Sequence, residues 1–589
     1  MVWAKPPTST SSRATRTASD MLGNFLKQAG QPLWLPDLRD SFAELPNTVP
    51  LVVRLKSFDA QTRDYAHHIP HWGNAAERSL IGDYLCATIY NTMSVCGGYE
   101  LTIYTDTSDK ALMNLLGELP EIFQISAQQR RGFGKVVNIA NRMGRAFGGK
   151  DFSLRIEDIK GYLPHSAAQQ PQGELSRGLR SLCAAADGSN CVGVDVGGTD
   201  IKLAASQNGQ LIAIKEYDWN PAACSTVDGI IEPILLLTRL MRACIAANGT
   251  DEALTRALRK DASNAEMAAA VADAERRYDA DVLDAVGVSF PDIVLRDRIV
   301  GGETPKTRGV RNNPTVNYEA EFARLGTLKD RLLALCRGEG RCHLANDGNI
   351  AAFTAAVELA CGELPDAVAR GVVAHSLGTD LGTGMLYADG AIPQLPLELY
   401  DTWVDLGSAP YAALPPDDLR ATRNENSGLP GARRYLGQAA AYRLANQFDP
   451  QLLDGFTEEA DGVMRIRMFP EDLRKPCLEH LMQKASEGDT NAEEIFRQIG
   501  RNLAVVTREL EFLLHPKTDV RWLFGRFVKS ERCFALLREG FAESLPHIQL
   551  ENGGDGLVNT SLMAQLAQRQ DVTVAQFAQA VGAVYYALT

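Results

Sequence analysis

Apolar residues along this chain of 589 residues recur at two spacings, one typical of strands and the other typical of helices. The densest run of strand-type residues covers residues 191–217 and contains two turns. The first turn holds Gly197 and Gly198, and the second holds Asn208 followed by Gly209, a pair that favours a tight hairpin. The sequence therefore predicts three consecutive antiparallel strands in this stretch.

Strand and helix patterns alternate after these three strands. Further strands are predicted at residues 285–290, 341–345, 372–375, 385–387 and 520–524. Helices are predicted at residues 227–247, 251–277, 350–361, 492–514, 530–541 and 573–588. Alternation of this kind is typical of an α/β fold, in which helices cover the faces of a sheet.

The first 188 residues are predicted to form a separate mixed α/β domain. Helices are predicted at residues 20–29, 76–95, 108–116 and 134–147, and strands at 99–105 and 152–156. His67, His68 and His71 match no strong zinc spacing and are predicted to lie in loops. Residues 164–178 have the composition of a linker, so the part before them is predicted to be separable from the rest.

The composition is ordinary for a soluble globular protein, and the net charge argues against one class of partner. Hydrophobic residues make up 45% and charged residues 23%, and a net charge of −13 argues against a nucleic-acid-binding surface. No apolar run predicts a membrane span or a secretory signal. The first 19 residues are rich in Ser, Thr and Arg and are predicted to be a disordered tail, with a transit peptide as the alternative. The 11 cysteines lack any Cys-x-x-Cys pair, which indicates reduced thiols and a cytoplasmic protein.

The turn after the first strand has the chemistry of a phosphate site. Gly197 and Gly198 let backbone N–H groups converge on an anion, and Thr199 adds a hydroxyl donor. Asp195, at the end of the strand, could hold Mg²⁺ directly or through water, because Mg²⁺ prefers oxygen ligands. An ordinary Gly-Gly hairpin beside a capping aspartate is the alternative that these residues leave open.

The segment DVGGTDIK, from Asp195 to Lys202, resembles the first phosphate motif of the actin-like ATPase superfamily, and it is most similar to the ROK sugar kinases and the hexokinases. The segment GVSFPD at residues 287–292 is similar to a motif of the same two families. The segment around Lys306, TPKTRG, resembles the hexokinase loop beside the sugar. The resemblance implies a two-lobed actin-like ATPase (ribonuclease H-like) fold, with a small lobe at residues 189–345 and a large lobe at 346–589, whose last helix returns towards the small lobe.

The segment NDGNIAA, starting at Asn346, resembles the NDxNxAA motif of ROK kinases. In that family the aspartate is the general base and the asparagine contacts the sugar, which implies these roles for Asp347 and Asn346. Local sequence alone favours a different role for Asp347, that of a helix cap. Its position between a strand and a helix raises the expectation of a catalytic role, because α/β proteins place functional groups at such junctions.

Three later segments complete the resemblance, with departures. SLGTDLGTG, which contains Gly378 and Thr379, resembles the second phosphate motif, but Asp380 replaces a glycine. Gly525 stands where the family has a glycine-rich turn facing adenosine, and Arg526 replaces the second glycine. The resemblance further implies sugar contacts by Glu398, by Asp401 in place of a histidine, and by Glu425. No cysteine lies between Cys361 and Cys477, so the zinc site of ROK kinases is expected to be absent.

Together these motifs predict an enzyme that phosphorylates a sugar hydroxyl with ATP and Mg²⁺. The expected partners are a small sugar and ATP, with no nucleic acid and no membrane, and a homodimer is left open. Two alternatives remain. One is a non-enzymatic sugar-sensing regulator of the ROK type, and the other is a catalytically degenerate relative, which Asp380 and Arg526 would suit.

Overall fold

The computed structural model describes residues 18–27, 32–128, 130–149, 151–165, 175–302, 304–363, 365–378, 380–407, 414–415, 418–423, 428–553 and 557–589. Within these residues, the strands form three sheets of four or five strands and two short two-stranded ribbons. No helix in these ranges is both long enough and apolar enough to cross a bilayer.

The N-terminal region contains a four-stranded sheet of its own. The strands are β1 (Val49–Lys56), β2 (Thr62–Ile69), β3 (Glu100–Thr105) and β4 (Ser153–Asp158), in the order β2-β1-β3-β4. The helices are α1 (Ala18–Leu26), α2 (Leu35–Ala43), α3 (Ala75–Cys96), α4 (Lys110–Leu116), α5 (Leu119–Ile122) and α6 (Lys135–Ala146). The mixed α/β character of this region agrees with the sequence prediction.

The loop prediction for the histidines is wrong for two of the three. His67 and His68 lie on β2, which the sequence analysis did not predict. The His67 ring is buried, and its Nδ1 shares a hydrogen bond of 2.8 Å with the Tyr84 hydroxyl. Burial holds the pKa of His67 well below its usual range, so this ring is a neutral part of the core.

The first lobe contains a five-stranded sheet. Its strands are β5 (Asn190–Val196), β6 (Asp200–Gln207), β7 (Gln210–Asp218), β8 (Ala285–Phe290) and β11 (Arg341–Asn346), with a ribbon of β9 (Val294–Leu295) and β10 (Arg298–Ile299). Its helices are α7 (Leu175–Ala186), α8 (Asp228–Ala246), α9 (Glu252–Ala257), α10 (Asn264–Arg277), α11 (Arg308–Asn312), α12 (Tyr318–Ala323) and α13 (Leu328–Leu333). The strand order is β7-β6-β5-β8-β11, in which β5 pairs antiparallel with β6 and parallel with β8.

The second lobe contains a four-stranded sheet of similar design. Its strands are β12 (Val372–Leu377), β13 (Leu381–Leu386), β16 (Val520–Gly525) and β17 (Gln549–Asn552), with a ribbon of β14 (Thr457–Ala460) and β15 (Val463–Ile466). Its helices are α14 (Asp347–Cys361), α15 (Gln438–Phe448), α16 (Arg474–Ser486), α17 (Thr490–Leu514), α18 (Glu531–Ser544), α19 (Ser561–Ala567) and α20 (Val574–Tyr586). The strand order is β13-β12-β16-β17.

Both sheets share one plan, in which an antiparallel hairpin lies beside two parallel strands. In the first sheet β5 and β6 form the hairpin and β8 and β11 are the parallel strands, and in the second β12 and β13 are followed by β16 and β17. The last helix, α20, lies against β5, β6 and β8 of the first sheet. This repeated plan is that of a two-lobed actin-like ATPase, and the predicted fold class is confirmed.

The N-terminal region contacts both lobes. Its hydrophobic core is continuous with that of the second lobe, so that Leu38 and Phe42 belong to the same buried cluster as Leu503 and Leu510. A smaller cluster joins α6 to the first lobe, through Met143 and the residues around β9. A chain beginning near Ser176, which the linker composition predicts to fold alone, would expose this shared core. We therefore expect such a shortened chain to be insoluble.

Candidate functional site

Asp347 lies at the point where β11 ends and α14 begins. Asn346 caps the helix, because its Oδ1 accepts a hydrogen bond of 2.9 Å from the Gly348 amide. The Asn346 Nδ2 donates to the Asp292 carbonyl at 2.9 Å, so the side chain is fixed at both ends. This cap starts α14 at residue 347, three residues earlier than the sequence analysis predicts.

The beginning of α14 also touches the second sheet, and this contact places Asp347 between the lobes. A Cβ added at Gly384 on β13 would lie 1.7 Å from the Gly348 carbonyl oxygen, so only glycine allows this approach. The buried Asn349 accepts a hydrogen bond of 3.1 Å from the Met385 amide through its Oδ1. The helix is therefore continuous with one sheet and anchored on the other.

Asp195, at the end of β5, is the second acid near the junction between the lobes. The Ser289 hydroxyl donates a hydrogen bond of 2.8 Å to the Asp195 Oδ1. Burial raises the pKa of Asp195 to about 6, and the Asp347 carboxylate adds to this rise. Burial also raises the pKa of Asp347, against the opposing effect of the Lys306 ammonium. The carboxylates of Asp195 and Asp347 and the ammonium of Lys306 therefore lie close together in a partly buried site.

The turn between β5 and β6 borders these acids. The Gly197 amide donates to the Asp200 carbonyl at 2.7 Å, which closes the turn, while Gly198 and Thr199 are exposed. A Cβ added at Gly198 would meet the Lys306 Cε at 3.5 Å. Lys202 lies across the strand pair from Asp195 and forms an ion pair with Asp200.

The second glycine-containing turn follows β12. The Gly378 amide donates to the Asp380 carbonyl at 3.1 Å, and Thr379 lies outside the described residues. Gly525, which ends β16, has φ +103°, and a Cβ there would lie 2.1 Å from the Leu377 carbonyl oxygen. The two turns assigned to phosphate and adenosine therefore lie side by side.

Asp380, the main departure from the second phosphate motif, forms an ion pair. Its carboxylate lies 2.8 Å from the guanidinium of Arg433, a residue that is only 9% exposed. The resemblance gave no hint of this pair, because Arg433 is 53 residues away along the chain. The negative charge that Asp380 adds beside the turn is thus balanced within the protein.

Two of the predicted sugar contacts, Glu398 and Asp401, line a small pocket together with Asp292. Asp292 is buried and accepts hydrogen bonds from the amides of Ile293, at 2.7 Å, and Gly302, at 3.0 Å. The pocket also contains side chains of the N-terminal region, namely Tyr90, Ser94, Lys135, Val136 and Ile139. The third predicted contact, Glu425, lies outside the described residues.

The sequence analysis missed Asp292 and the N-terminal side chains as pocket residues. Asp292 ends the GVSFPD motif and could have been assigned from its place after a strand. The N-terminal side chains carry no local signal, because Tyr90 and Asp401 are 311 residues apart in the chain.

The carboxyl group of Glu398 is expected to make stability depend on pH. Burial, assisted by the neighbouring charges of Asp292 and Asp401, raises the pKa of Glu398 from its usual 4.5 to about 8. The folded chain then binds more protons than the unfolded chain between these values, so the free energy of unfolding decreases as the pH rises from 4.5 to 8.

Replacing Glu398 by Gln should remove this contribution. We expect the decrease in unfolding free energy between pH 5 and pH 8 to be smaller in Glu398→Gln by at least about 1 kcal/mol. Urea titrations of both proteins at pH 5, 6.5 and 8 measure the difference. An identical pH dependence in the two proteins would contradict an elevated pKa at this position.

No set of three or more His, Cys, Asp or Glu side chains among the described residues is arranged to hold a metal ion. Magnesium needs fewer protein ligands than three, because one or two carboxylates and the phosphates of a nucleotide are sufficient to bind it. Asp195, oriented by Ser289 and close to Asp347, has the oxygen donor and the local negative charge that such an ion needs.

No protein-family model and no curated protein sequence matches this chain. Several solved structures do. A ROK glucokinase from Streptomyces griseus, crystallised with glucose and AMPPNP, is 20% identical, and the match covers 68% of this chain and 99% of that protein with a TM-score of 0.38. A ROK hexokinase from Thermus thermophilus is 18% identical over 68% of this chain and 97% of its own, with a TM-score of 0.36.

A third match is a ROK transcriptional regulator, a homologue of the E. coli MLC protein, which is 14% identical over 68% of this chain and 80% of its own, with a TM-score of 0.37. All three are ROK-family proteins. Their names are those of the family that the sequence motifs resemble. The roles that the ROK motifs imply for single residues stay predictions.

Proposed function

We propose that this protein transfers the γ-phosphoryl group of ATP to a hydroxyl group of a small sugar. The observation that carries the proposal is the position of Asp347, a partly buried carboxylate at the strand-to-helix junction between the two lobes. Around it lie Asp195, Lys306 and the glycine-containing turn after β5, which together suit a bound triphosphate.

Each group has a separate task in this proposal. The amides of Gly198 and Thr199 on one lobe, and those of the turn at Gly378 on the other, would bind the phosphates, and Lys202 would add positive charge at the first of these turns. Gly525 would lie against the adenosine. Bound magnesium, held by Asp195, would offset the negative charge that develops on the phosphoryl oxygens. Lys306 would lie between the phosphates and Asp347, where its ammonium opposes the rise in the pKa of Asp347 that burial causes.

The sugar would bind on the other side of Asp347. Asn346 and Glu398 would hydrogen-bond its hydroxyl groups, and Asp401 would complete the pocket. Glu425 would be a further contact with the sugar. Asp347 would accept the proton of the attacking hydroxyl, because a neutral hydroxyl is a poor nucleophile. Positioning of the two substrates and balance of charge would supply most of the rate.

Sugar-dependent turnover of ATP tests the proposal directly. ADP release should be measured with glucose, mannose, glucosamine and N-acetylglucosamine in the presence of Mg²⁺, and the product should gain the mass of one phosphoryl group. Turnover without sugar is the control. A sugar that raises the melting temperature of the protein without stimulating ADP release would favour the alternative of a non-enzymatic sugar-sensing regulator.

The pair of Asp380 and Arg433 offers a separate test of the nucleotide site. In Arg433→Ala the Asp380 carboxylate loses its balancing charge beside the phosphates, so the KM for ATP should rise by about 10-fold. The double variant Asp380→Asn/Arg433→Ala lacks both charges, and its KM should return towards that of the wild type. Steady-state kinetics at saturating sugar measure both values. A double variant as weak as Arg433→Ala would show that Arg433 acts independently of Asp380.

A further inference from the structure

The segment that contains Glu398 and Asp401 is bound to the N-terminal region by backbone hydrogen bonds. The Leu397 amide donates to the Val95 carbonyl at 3.0 Å, and the Glu398 amide donates to the Ser94 carbonyl at 3.2 Å. Both acceptors lie in the last turn of α3, where the carbonyl groups have no partner within the helix. The end of this helix thus holds the backbone of a predicted substrate-binding residue.

Side chains of α3 extend the contact along the same segment. The Tyr90 hydroxyl donates to the Asp401 Oδ2 at 2.5 Å. The buried Asn91 accepts from the Trp403 amide at 2.7 Å and donates to the Trp403 carbonyl at 3.0 Å. Tyr90, Asn91 and Ser94 are all nearly inaccessible to solvent, so these bonds lie inside the protein.

The conformation of the segment requires such support. Leu397 has φ +55°, in the left-handed region that residues with a side chain rarely adopt. A conformation of this kind persists only where the surrounding structure fixes it. At Gly97, which follows α3, a Cβ would lie 2.8 Å from the Pro396 Cγ, so the helix end packs directly on the segment.

The same helix end forms part of the pocket wall. Tyr90 and Ser94 line the pocket beside Glu398 and Asp401, and Lys135 and Ile139 of α6 line it from the neighbouring helix. The helix α6 is held to the first lobe by Arg142, whose guanidinium lies 2.7 Å from the Glu319 carboxylate. The N-terminal region therefore reaches the pocket by two helices.

We propose that the N-terminal region is a built-in part of the substrate site, and that Tyr90 is a positioning residue that holds Asp401 beside Glu398 in its binding geometry. This inference rests on the proposed function, because it takes the pocket to be the sugar site. The N-terminal region carries none of the ROK motifs, and in this role it acts on the affinity for sugar and not on the affinity for ATP.

The test compares Tyr90→Phe with Tyr162→Phe in the full-length chain. In both variants a tyrosine of the N-terminal region loses its hydrogen bond to an aspartate. The Tyr162 hydroxyl donates to Asp64 at 3.0 Å, away from the pocket. Calorimetry with glucose, mannose, glucosamine and N-acetylglucosamine should show the Kd of the sugar that binds rising by about 10-fold in Tyr90→Phe. Tyr162→Phe should bind as the wild type does.

Two further measurements separate positioning from a loss of stability. In Tyr90→Phe the KM for sugar should rise while the KM for ATP stays constant, which a general loss of folding would not produce. Amide exchange of Leu397 and Glu398 should become faster than in Tyr162→Phe. Unchanged sugar affinity in Tyr90→Phe overturns the inference, whatever the exchange rates. If the wild-type chain binds none of the four sugars, the proposed function fails and the inference fails with it.

Discussion

Asp347→Asn should lower kcat by at least about 100-fold, the lower end of what a general base contributes. Asparagine has the size of aspartate and can still accept the hydrogen bond of 2.8 Å that the Gly348 amide donates to Asp347. It cannot accept the proton of a sugar hydroxyl. The Kd of the sugar should change much less than kcat, because an amide still hydrogen-bonds a hydroxyl group. Steady-state kinetics and calorimetry on the same preparation measure the two effects.

Asp489→Asn is the matched control for this experiment. Asp489 caps α17 by accepting hydrogen bonds from the amides of Asn491 and Ala492, remote from the junction of β11 and α14. Both variants exchange an acid at the start of a helix for its amide, but only one acid is proposed to accept a proton. Equal kcat values for Asp347→Asn and the wild type would mean that Asp347 merely starts a helix.

Glu509→Ala should reduce the free energy of unfolding of the whole chain by about 3–5 kcal/mol, the range for breaking a buried ion pair. The buried Glu509 on α17 accepts from the Arg39 guanidinium of α2 at 2.5 Å and from the Asn91 amide group of α3 at 3.0 Å. Without Glu509, the Arg39 charge would stay in the shared core without its carboxylate. Chemical denaturation followed by fluorescence and circular dichroism measures the loss.

A partly exposed ion pair on the same helix provides the comparison for Glu509. Glu494 lies 2.5 Å from Arg501, and both side chains are accessible to solvent, so Glu494→Ala should cost no more than about 1 kcal/mol. A destabilisation by Glu509→Ala that is no greater than that by Glu494→Ala would contradict a buried bridge between the N-terminal region and the second lobe.

The sequence predicted the elements whose patterns are local. The hairpin at Gly197, the strand before Asn346 and the helix α3 lie within a few residues of their predicted bounds, because periodicity and caps are encoded by neighbouring residues. The strand β1 was missed although buried Val49, Leu51, Val53 and Leu55 alternate with the less buried Pro50, Arg54 and Lys56. The proline near its start and the apolar Val52 on the outer face weaken this pattern. The strand β13 begins four residues before its predicted start. The part that was missed contains Gly382 and Gly384, which have weak strand propensity, and Gly384 is held there by packing against α14.

The residues of the candidate site likewise divide into those that local sequence predicts and those that it does not. Asp195, Asn346 and Asp347 lie at or just after the ends of strands and belong to short motifs, so they could be assigned from sequence. The Arg433 partner of Asp380 and the wall formed by Tyr90 and Lys135 depend on contacts between distant parts of the chain. A local sequence pattern does not predict which distant side chain contacts a given residue, because tertiary packing determines such contacts.

The core shared by the N-terminal region and the second lobe also affects how the protein is made. Arg39 is 470 residues ahead of its partner Glu509, and the ribosome adds roughly 5–20 residues per second. The helix α2 must therefore wait for roughly 25–95 seconds before its partner helix α17 has been synthesised. During that interval Leu38, Phe42 and their neighbours are exposed on the nascent chain. We expect a chaperone that binds apolar segments to be needed for a good yield of this protein, more than for a chain composed of the two lobes alone.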